Sequence, residues 1–192
     1  MKKILIGTHN KGKFKEISFL ISKKIKKISP IKLNIKSPKE TGKSFTANAK
    51  LKANYFSKFT NLPVISDDSG LCINILKGKP GIYSARWAKK HGSFYKAMKF
   101  ILKQMKKKTN RSAIFVCSLS LKYPNKKIIT VTGKIKGKIS KSILGKNGFG
   151  YDPIFVPNSK SITFGQMSKS KKIRIDHRFI AFRKLKKIVK TL

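Results

Sequence analysis

Acidic residues are scarce in this chain of 192 residues, in which six Asp and Glu stand against 47 Lys and Arg and the formal net charge is +41. Their scarcity makes each carboxylate a candidate for a structural or functional role. The full set is Glu16, Glu40, Asp67, Asp68, Asp152 and Asp176. Half of them cluster: Asp67 and Asp68 are adjacent and Glu40 precedes them by less than thirty positions.

Arginine is nearly absent too, although lysine is abundant along the whole chain. Proteins that read DNA bases favour Arg because its planar fork pairs with base edges, and their basic residues gather into a stripe. Neither feature is present. We therefore interpret the charge mainly as a compositional bias and expect nucleic-acid binding only as non-specific electrostatics.

Long apolar runs and paired cysteines are also missing. A membrane helix needs ~20 apolar residues and a signal-peptide core needs ~7, whereas the run after Lys3 is only Ile4–Ile6. Cys72 and Cys117 are far apart, lie in apolar segments and have no metal-ligand spacing. We expect a protein of the cytoplasm with reduced thiols and no membrane partner.

Hydrophobic periodicity predicts an α/β protein with a mixed sheet, folded as one domain over residues 1–192. Four helices are expected: around 14–21, from a cap at Ser44 or Thr46 to about 58, over 94–105, and from about 176 onward. Strands are expected at 4–7, 32–35, 64–66, 71–76, 113–123, 128–139 and 154–156, with an acidic turn at 67–70.

The loop from Thr8 to Lys13 leads from the first strand directly into a helix and contains Asn10 and Gly12. Free N–H groups and the positive end of the dipole make such a helix start a natural phosphate site. The spacing of a P-loop is missing, and an ordinary capped turn would have the same composition.

The acidic pair at 67–68 follows a short apolar strand and precedes Ser69 and Gly70. Two carboxylates there offer hard oxygen ligands to a divalent cation, whereas the alternative is a turn with both acids solvated or paired with lysine. If the strand continues, neighbouring side chains point to opposite faces. We then favour Asp68 as the functional carboxylate and Asp67 as its structural neighbour.

Two later segments are candidates for holding a flat ring. Phe149 and Tyr151 alternate with Gly148 and Gly150, so an aromatic side chain could stack on a ligand there. The alternative is a tight turn whose Phe149 packs in the protein core. His177 and Arg178 follow Asp176 at a helix start, where a capped helix with a surface arginine is the alternative.

Taken together, these segments resemble the noncanonical purine nucleoside triphosphate pyrophosphatases, the inosine triphosphatase-like enzymes. The matching pieces occur in register along nearly the whole chain: Thr8–Lys13, Glu40–Gly42 with Phe45 and Asn48-Ala49, Ser66–Leu71, Pro80–Arg86, Gly148–Pro153, Thr163-Phe164 with Met167-Ser168, and Lys172 with His177-Arg178.

The resemblance implies an elongated mixed sheet with two α/β lobes and a central nucleotide-binding cleft, in a homodimer. It implies cleavage between the α and β phosphates, with Asp68 as general base and Glu40 and Asp68 binding Mg²⁺. It also implies a set of substrate-binding residues: Thr8, His9, Asn10, Lys11, Gly12, Lys13, Lys52, Ser69, Phe149, Gly150, Tyr151, Asp152, Lys172, His177 and Arg178.

Selectivity follows from the 6-keto group of inosine and xanthine, which accepts hydrogen bonds where the 6-amino group of adenine donates them. Donors from His177 or Arg178 would pair with the keto group, and a site built on such a bond rejects the wrong partner by up to ~10⁴. Two rival functions remain open: a polyanion-binding protein without catalysis, and a pyrophosphatase for pyrimidine or modified bases. The apolar residues at 82–87 fit either an interface or the core.

Overall fold

The computed structural model describes residues 2–158 and 160–189. Its strands are β1 (Lys3–Ile6), β2 (Lys26–Ile28), β3 (Val64–Ile73), β4 (Ser112–Lys122), β5 (Ile129–Ile139) and β6 (Phe155–Pro157). Its helices are α1 (Lys11–Leu20), α2 (Phe45–Ser57), α3 (Ser84–Lys90), α4 (Phe94–Gln104), α5 (Lys169–Lys172) and α6 (His177–Ile188). The predicted α/β class is confirmed.

The strands form one mixed sheet in the order β2-β1-β3-β4-β5-β6. Strand β1 runs parallel to both β2 and β3, whereas β5 and β6 are antiparallel. Parallel strands need a crossover, and α1 and α2 supply helices on the way from β1 to β2 and from β2 to β3. The loop after β1 therefore sits at the carboxyl end of a parallel strand, where α/β folds usually bind ligands.

The chain packs as two compact units, each with its own apolar core. Unit 1 comprises residues 1–68, 117–133 and 178–192, and unit 2 comprises 69–116 and 134–177. In unit 1, α1 and α6 bury residues such as Ile17 and Leu185 with Ile6 of β1. In unit 2, α4 buries Ile101 with Phe155 and Phe164. Each core follows the helical or alternating pattern of its own segments.

The strand predicted at 32–35 is wrong. Residues Pro30–Leu33 form a 3-10 helix, and the strand β2 lies earlier, at Lys26–Ile28. Pro30 has no N–H for a ladder and its fixed φ suits the first turn of a helix. Asn34, with φ 52°, closes that turn in the left-handed region. Asn adopts the left-handed region more readily than most residues. The β-branched Ile31 and Ile35 on either side of it favour a strand by composition, although the chain turns there.

The acidic turn predicted at 67–70 is also wrong, because β3 runs without interruption from Val64 to Ile73. Residues 74–76, assigned to a strand, form a 3-10 helix. Gly70 does not turn the chain. A Cβ placed on it would come 2.2 Å from the carbonyl oxygen of Gly81, so the glycine reflects close approach of backbone.

The predicted helices at 14–21, 45–58, 94–105 and from 176 are confirmed within a few residues as α1, α2, α4 and α6. Ser44 caps α2 by accepting from the N–H of Ala47, which decides between the two predicted caps. Helices α3 and α5 were missed because each is short, with seven and four residues. None of the helices described has the length and apolarity that a bilayer crossing demands.

Candidate functional site

The loop between β1 and α1 is a capped helix start. Asn10 is the N-cap, and its side-chain oxygen accepts a hydrogen bond of 2.9 Å from the N–H of Lys13. Thr8 Oγ1 accepts from the N–H of Asn10 at 3.2 Å, which fixes the approach to the helix. Asn10 and Lys11 are exposed, so the loop presents its polar face to solvent. This geometry suits an anion at the helix N-terminus.

Lys13, in the first turn of α1, is tied to the strand β3. Its ammonium lies 3.1 Å from Asp67 Oδ2, and the guanidinium of Arg178 lies 3.7 Å from the same oxygen. Arg178 also pairs with Glu16 of α1 at 2.9 Å. The side chains of Asp67 and Arg178 are 0% and 3% exposed, so the centre of this network is shielded from water, whereas the side chain of Lys13 is 15% exposed. It links α1, β3 and α6 within unit 1.

The charges around Asp67 decide its protonation. Burial alone would raise the pKa of this carboxyl, but Lys13, Arg178 and Lys52 outweigh burial and lower the pKa to about 2. Asp67 is therefore ionised at neutral pH and serves as an anchor for cations. The prediction that it is the structural neighbour of Asp68 agrees with this environment.

The side chain of Asp68 points to the opposite face of β3 from Asp67 and contacts α2. Its Oδ2 accepts a hydrogen bond of 3.0 Å from the side-chain amide of Asn48, and its Oδ1 lies 3.8 Å from the ammonium of Lys52. The same ammonium is 2.5 Å from Glu40 Oε1. Lys52 thus brings together the two carboxylates, Glu40 and Asp68, that the resemblance assigns to a metal.

Burial raises the pKa of Asp68, and the nearby charge of Glu40 adds to the increase, while Lys52, Lys13 and the amide of Asn48 oppose it. Burial lowers the pKa of Lys52, but the carboxylates of Asp67, Asp68 and Glu40 outweigh it and raise the pKa. A raised carboxyl pKa is what a general base near neutral pH needs. Two adjacent aspartates therefore have opposite shifts.

The donor set fits magnesium better than a metal held entirely by protein. No group of three or more His, Cys, Asp or Glu side chains among residues 2–158 and 160–189 is arranged to hold a metal ion. Magnesium usually takes one or two carboxylates and completes its shell with water and phosphate oxygens. Glu40 is partly exposed, with 31% of its side chain accessible, so water can complete such a shell.

In unit 2, an ion pair fixes the loop that carries Phe149. Asp152 Oδ2 accepts from the N–H of Phe149 at 2.8 Å and from the ammonium of Lys172 at 2.7 Å. That ammonium also lies 5.0 Å from the centre of the Phe149 ring. A Cβ on Gly148 would fall 2.1 Å from Asp152 Oδ2, which explains the glycine. Phe149 is half-buried, and its ring is held in place with a cation beside it.

The other predicted residues of unit 2 lie mainly in packed surroundings. Tyr151 is 2% exposed, and its hydroxyl donates to the carbonyl of Ser84 at 3.0 Å, as a core tyrosine would. The His177 ring stacks on Phe115 at 4.7 Å with an interplanar angle of 7°. Ser69 is half-buried in β3, and Gly150 has φ 67°. Their roles toward a base stay predictions.

The predicted residues divide between the units. Unit 1 holds Asp68, Glu40, Lys52, Arg178 and the loop Thr8–Lys13, where His9 Nε2 lies 3.0 Å from the carbonyl oxygen of Ile35. Unit 2 holds Ser69, Phe149–Asp152, Lys172 and His177.

Two residues of the site had been given no role by sequence reasoning: Asn48, which orients Asp68, and Glu16, which holds Arg178. The scarcity of acids had made Glu16 a candidate, and the resemblance included Asn48 among its matching pieces. Neither signal identified the partner, because Arg178 and Asp68 lie 162 and twenty positions away.

Comparison with known proteins gives consistent results. A model of the Ham1 family matches residues 4–188. A dITP/XTP pyrophosphatase of Oceanobacillus iheyensis is 41% identical, with 100% of each chain covered, and one of Caulobacter vibrioides is 39% identical, with 96% of each covered. Among solved structures, a HAM1 protein of Coxiella burnetii superposes with a TM-score of 0.89 at 32% identity over 100% of each chain. The Ham1 protein of Staphylococcus aureus gives 0.87 at 35% identity, covering 98% of each.

The opposite pKa shifts of the two aspartates predict opposite effects of the same isosteric change. Asp67→Asn removes the anchor of Lys13 and Arg178 and should lower the free energy of unfolding by about 3 kcal/mol, as breaking a buried ion pair does. Asp68→Asn removes a charge that burial disfavours and should leave thermal stability unchanged or raise it. Unfolding of both variants is measured in metal-free buffer at pH 7.

The lowered pKa of Asp67 also predicts how the stability of the protein depends on pH. Because the pKa of Asp67 is lowered to about 2, its contribution is complete above its unfolded-state pKa of ~3.9 and is lost as the pH falls through about 2. Asp67→Asn should therefore flatten the plot of unfolding free energy against pH in that window.

Equal destabilisation by Asp67→Asn and Asp68→Asn at pH 7 would contradict the roles assigned to the two residues.

Proposed function

The chain belongs to the Ham1 family, and from that membership we propose that it hydrolyses noncanonical purine nucleoside triphosphates, dITP, ITP and XTP, to the nucleoside monophosphate and pyrophosphate. One observation carries the proposal: Lys52 holds Glu40 and Asp68 together, with Asn48 orienting Asp68. The relatives named dITP/XTP pyrophosphatase support the substrate class. Such an activity removes deaminated purines from the nucleotide pool.

Asp68 is proposed as the general base. Its raised pKa favours taking a proton from water, and the amide of Asn48 keeps one of its oxygens oriented. Asp68 takes the proton of the water, whose oxygen forms a bond to the α phosphorus. The bond from the α phosphorus to the oxygen that bridges it to the β phosphate breaks, and pyrophosphate leaves with that oxygen. Charge and position supply most of the rate enhancement in phosphoryl transfer, so the nearby ammoniums of Lys52 and Lys13 contribute directly.

We propose Glu40 and Asp68 as the ligands of Mg²⁺. When bound, the ion offsets charge on the phosphate oxygens and helps to orient the displacement. Lys52 would then exchange its contacts with the two carboxylates for contacts with the phosphates. An ammonium on a flexible stem can make that change at small cost, since three rotatable donors serve either partner.

The phosphates are proposed to lie at the start of α1. The N–H groups of Lys11 and Gly12 lie in the first turn of α1, and Lys11 is exposed. In unit 2, the Phe149 ring is held by Asp152 and Lys172 and can stack on a purine. His177 or Arg178 is proposed as the donor to the 6-keto group, and Arg178 would have to share its guanidinium with Glu16 and Asp67.

We also propose a compartment and an oligomeric state for the protein. The free thiols of Cys72 and Cys117 support a reducing compartment, which we take to be the cytoplasm. We propose a homodimer as the functional form. Any nucleic-acid binding would come from the net charge of +41 and would be non-specific.

A substrate panel tests the activity. With Mg²⁺, pyrophosphate release from ITP, dITP and XTP should exceed release from ATP and from pyrimidine triphosphates. Asp68→Asn should lower kcat for ITP by roughly 10²–10⁴-fold, the usual contribution of a general base, while circular dichroism remains unchanged. Near-full activity of the variant would disprove the role of Asp68, and a preference for pyrimidines would disprove the substrate class.

Magnesium binding can be measured apart from turnover. Glu40→Gln should raise the Mg²⁺ concentration that gives half of the Mg²⁺-dependent rise in melting temperature, because one of two anionic ligands is lost. The shift should also appear without nucleotide, so activity is not the readout. An unchanged titration would exclude Glu40 as a ligand.

Removing the lysine between the carboxylates makes a separate prediction. Lys52→Met leaves Glu40 and Asp68 facing each other without their shared cation, so the metal-free protein should melt at lower temperature and Mg²⁺ should restore most of the loss. The matched control is Lys50→Met, an exposed lysine of the same helix, which should change neither. Similar behaviour of both variants would refute the bridging role.

A further inference from the structure

Asn48 of α2 is completely buried, although asparagine usually lies at the protein surface. Both ends of its side-chain amide are used. The carbonyl oxygen accepts a hydrogen bond of 2.8 Å from the backbone N–H of Gly42, and the amide nitrogen donates to Asp68 Oδ2 at 3.0 Å. One neutral side chain therefore joins the segment before α2 to the strand β3.

The partners fix the orientation of this amide. A backbone N–H can only donate, so the amide oxygen must face Gly42 and the amide nitrogen must then face Asp68. An ionised carboxylate only accepts hydrogen bonds, so it suits the nitrogen. We call the two hydrogen bonds, from Gly42 to Asn48 and from Asn48 to Asp68, the Asn48 bridge.

The Asn48 bridge holds the segment that carries Glu40, two residues before Gly42. Residues 35–42 form neither helix nor strand, so their backbone needs other partners to be held in one place. Two contacts tie the segment to α2: the ammonium of Lys52 on Glu40 and the amide of Asn48 on Gly42. The amide thus acts on both proposed metal ligands, on Asp68 directly and on Glu40 through the backbone.

Gly42 permits the close approach of this segment to α2. A Cβ on Gly42 would come 2.6 Å from Asn48 Oδ1 and 2.9 Å from the Cβ of Ala47. Nonbonded heavy atoms attract one another best at ~3.5–4.0 Å, so a side chain at position 42 would push the segment away from the helix. The glycine and the buried asparagine therefore work as a pair.

The two contacts with α2 differ in what a bound nucleotide would do to them. Lys52 would exchange its contacts with Glu40 and Asp68 for contacts with the phosphates, and would then no longer hold the two carboxylates together. The amide of Asn48 is buried and neutral, and its oxygen and nitrogen are both engaged. A phosphate therefore leaves the Asn48 bridge intact.

We propose that Asn48 is a positioning residue for the reaction: the Asn48 bridge keeps Glu40 and Asp68 in place after Lys52 has turned to the phosphates. The inference rests on the proposed hydrolysis and deepens it, because it separates the task of Asn48 from that of Lys52. Residues that orient metal ligands typically contribute ~10–100-fold to metal affinity or activity, so the effect is large enough to measure.

Asn48→Ala should lower kcat for ITP by roughly 10–100-fold and leave KM nearly unchanged, because misplaced groups act mainly on the transition state. Without nucleotide, it should also raise the Mg²⁺ concentration that gives half of the Mg²⁺-dependent rise in melting temperature. Both are measured well below the temperature at which the variant melts. The matched control is Asn54→Ala, the same change at an exposed position of α2, which should alter neither.

Exchanging the two side chains tests the Asn48 bridge without substrate or metal. Asn48→Asp brings a third carboxylate to Asp68 and Glu40, so the melting temperature should fall. Adding Asp68→Asn should restore most of the loss, because the new amide at position 68 can donate to the new carboxylate at position 48, which still accepts from Gly42. The N–H of Gly42 should exchange with deuterium slowly in the wild type and in the double variant, and fast in Asn48→Ala.

Gly42→Ala displaces the Asn48 bridge without changing Asn48, so it should cause the same losses in milder form and serves in place of Asn48→Ala should that variant not fold. A normal kcat with a normal Mg²⁺ titration in these variants would overturn the proposal and leave Asn48 a role in stability alone. Additive effects in the side-chain exchange, or unchanged deuterium exchange at Gly42 in Asn48→Ala, would overturn it too. The exchange measurements use no substrate, so they stand even if the proposed hydrolysis fails.

Discussion

The carboxylate of Asp67 lies in the fully buried part of a central strand and is held there by the ammonium of Lys13 and the guanidinium of Arg178. An unpaired charge in such a place would cost several kcal/mol. The buried carboxylate therefore needs the two cations, and the two cations need the carboxylate. Through them the start of α1 and the start of α6 are tied to β3. The loop before α1, where we propose the phosphates to lie, is thereby positioned by a contact with the strand and not by its own sequence alone.

The alternation of a strand then separates the tasks of two adjacent residues. Asp67 faces several cations and has a lowered pKa. Burial raises the pKa of Asp68, and the charge of Glu40 adds to the increase, although Lys52, Lys13 and the amide of Asn48 oppose it. One carboxylate is held as an anion, and the raised pKa of the other is compatible with the general base that we propose. Continuity of the strand through both residues is what makes the division possible.

That continuity also marks where sequence reasoning failed. Local patterns identified α1, α2 and α4, because their apolar spacing and caps lie within a few residues of each other. The same rules placed a turn at the acidic pair, since two carboxylates in a buried strand look impossible until Lys13 and Arg178 are brought in from distant positions. The pairing of Asp152 with Lys172 is likewise non-local. The alternation argument nevertheless predicted different surroundings for Asp67 and Asp68, and the structure gives them different partners.

The six acidic residues of this strongly basic chain occupy buried or paired positions. Five of the six carboxylates are buried, and the sixth, Glu40, contacts Lys52. Lysine replaces acids freely where a side chain is solvated, because surface charges contribute little to stability. A carboxylate survives such a bias where its loss leaves a buried cation unpaired or a reaction without its base. In a strongly basic chain, the few acids therefore point to the positions where negative charge is indispensable.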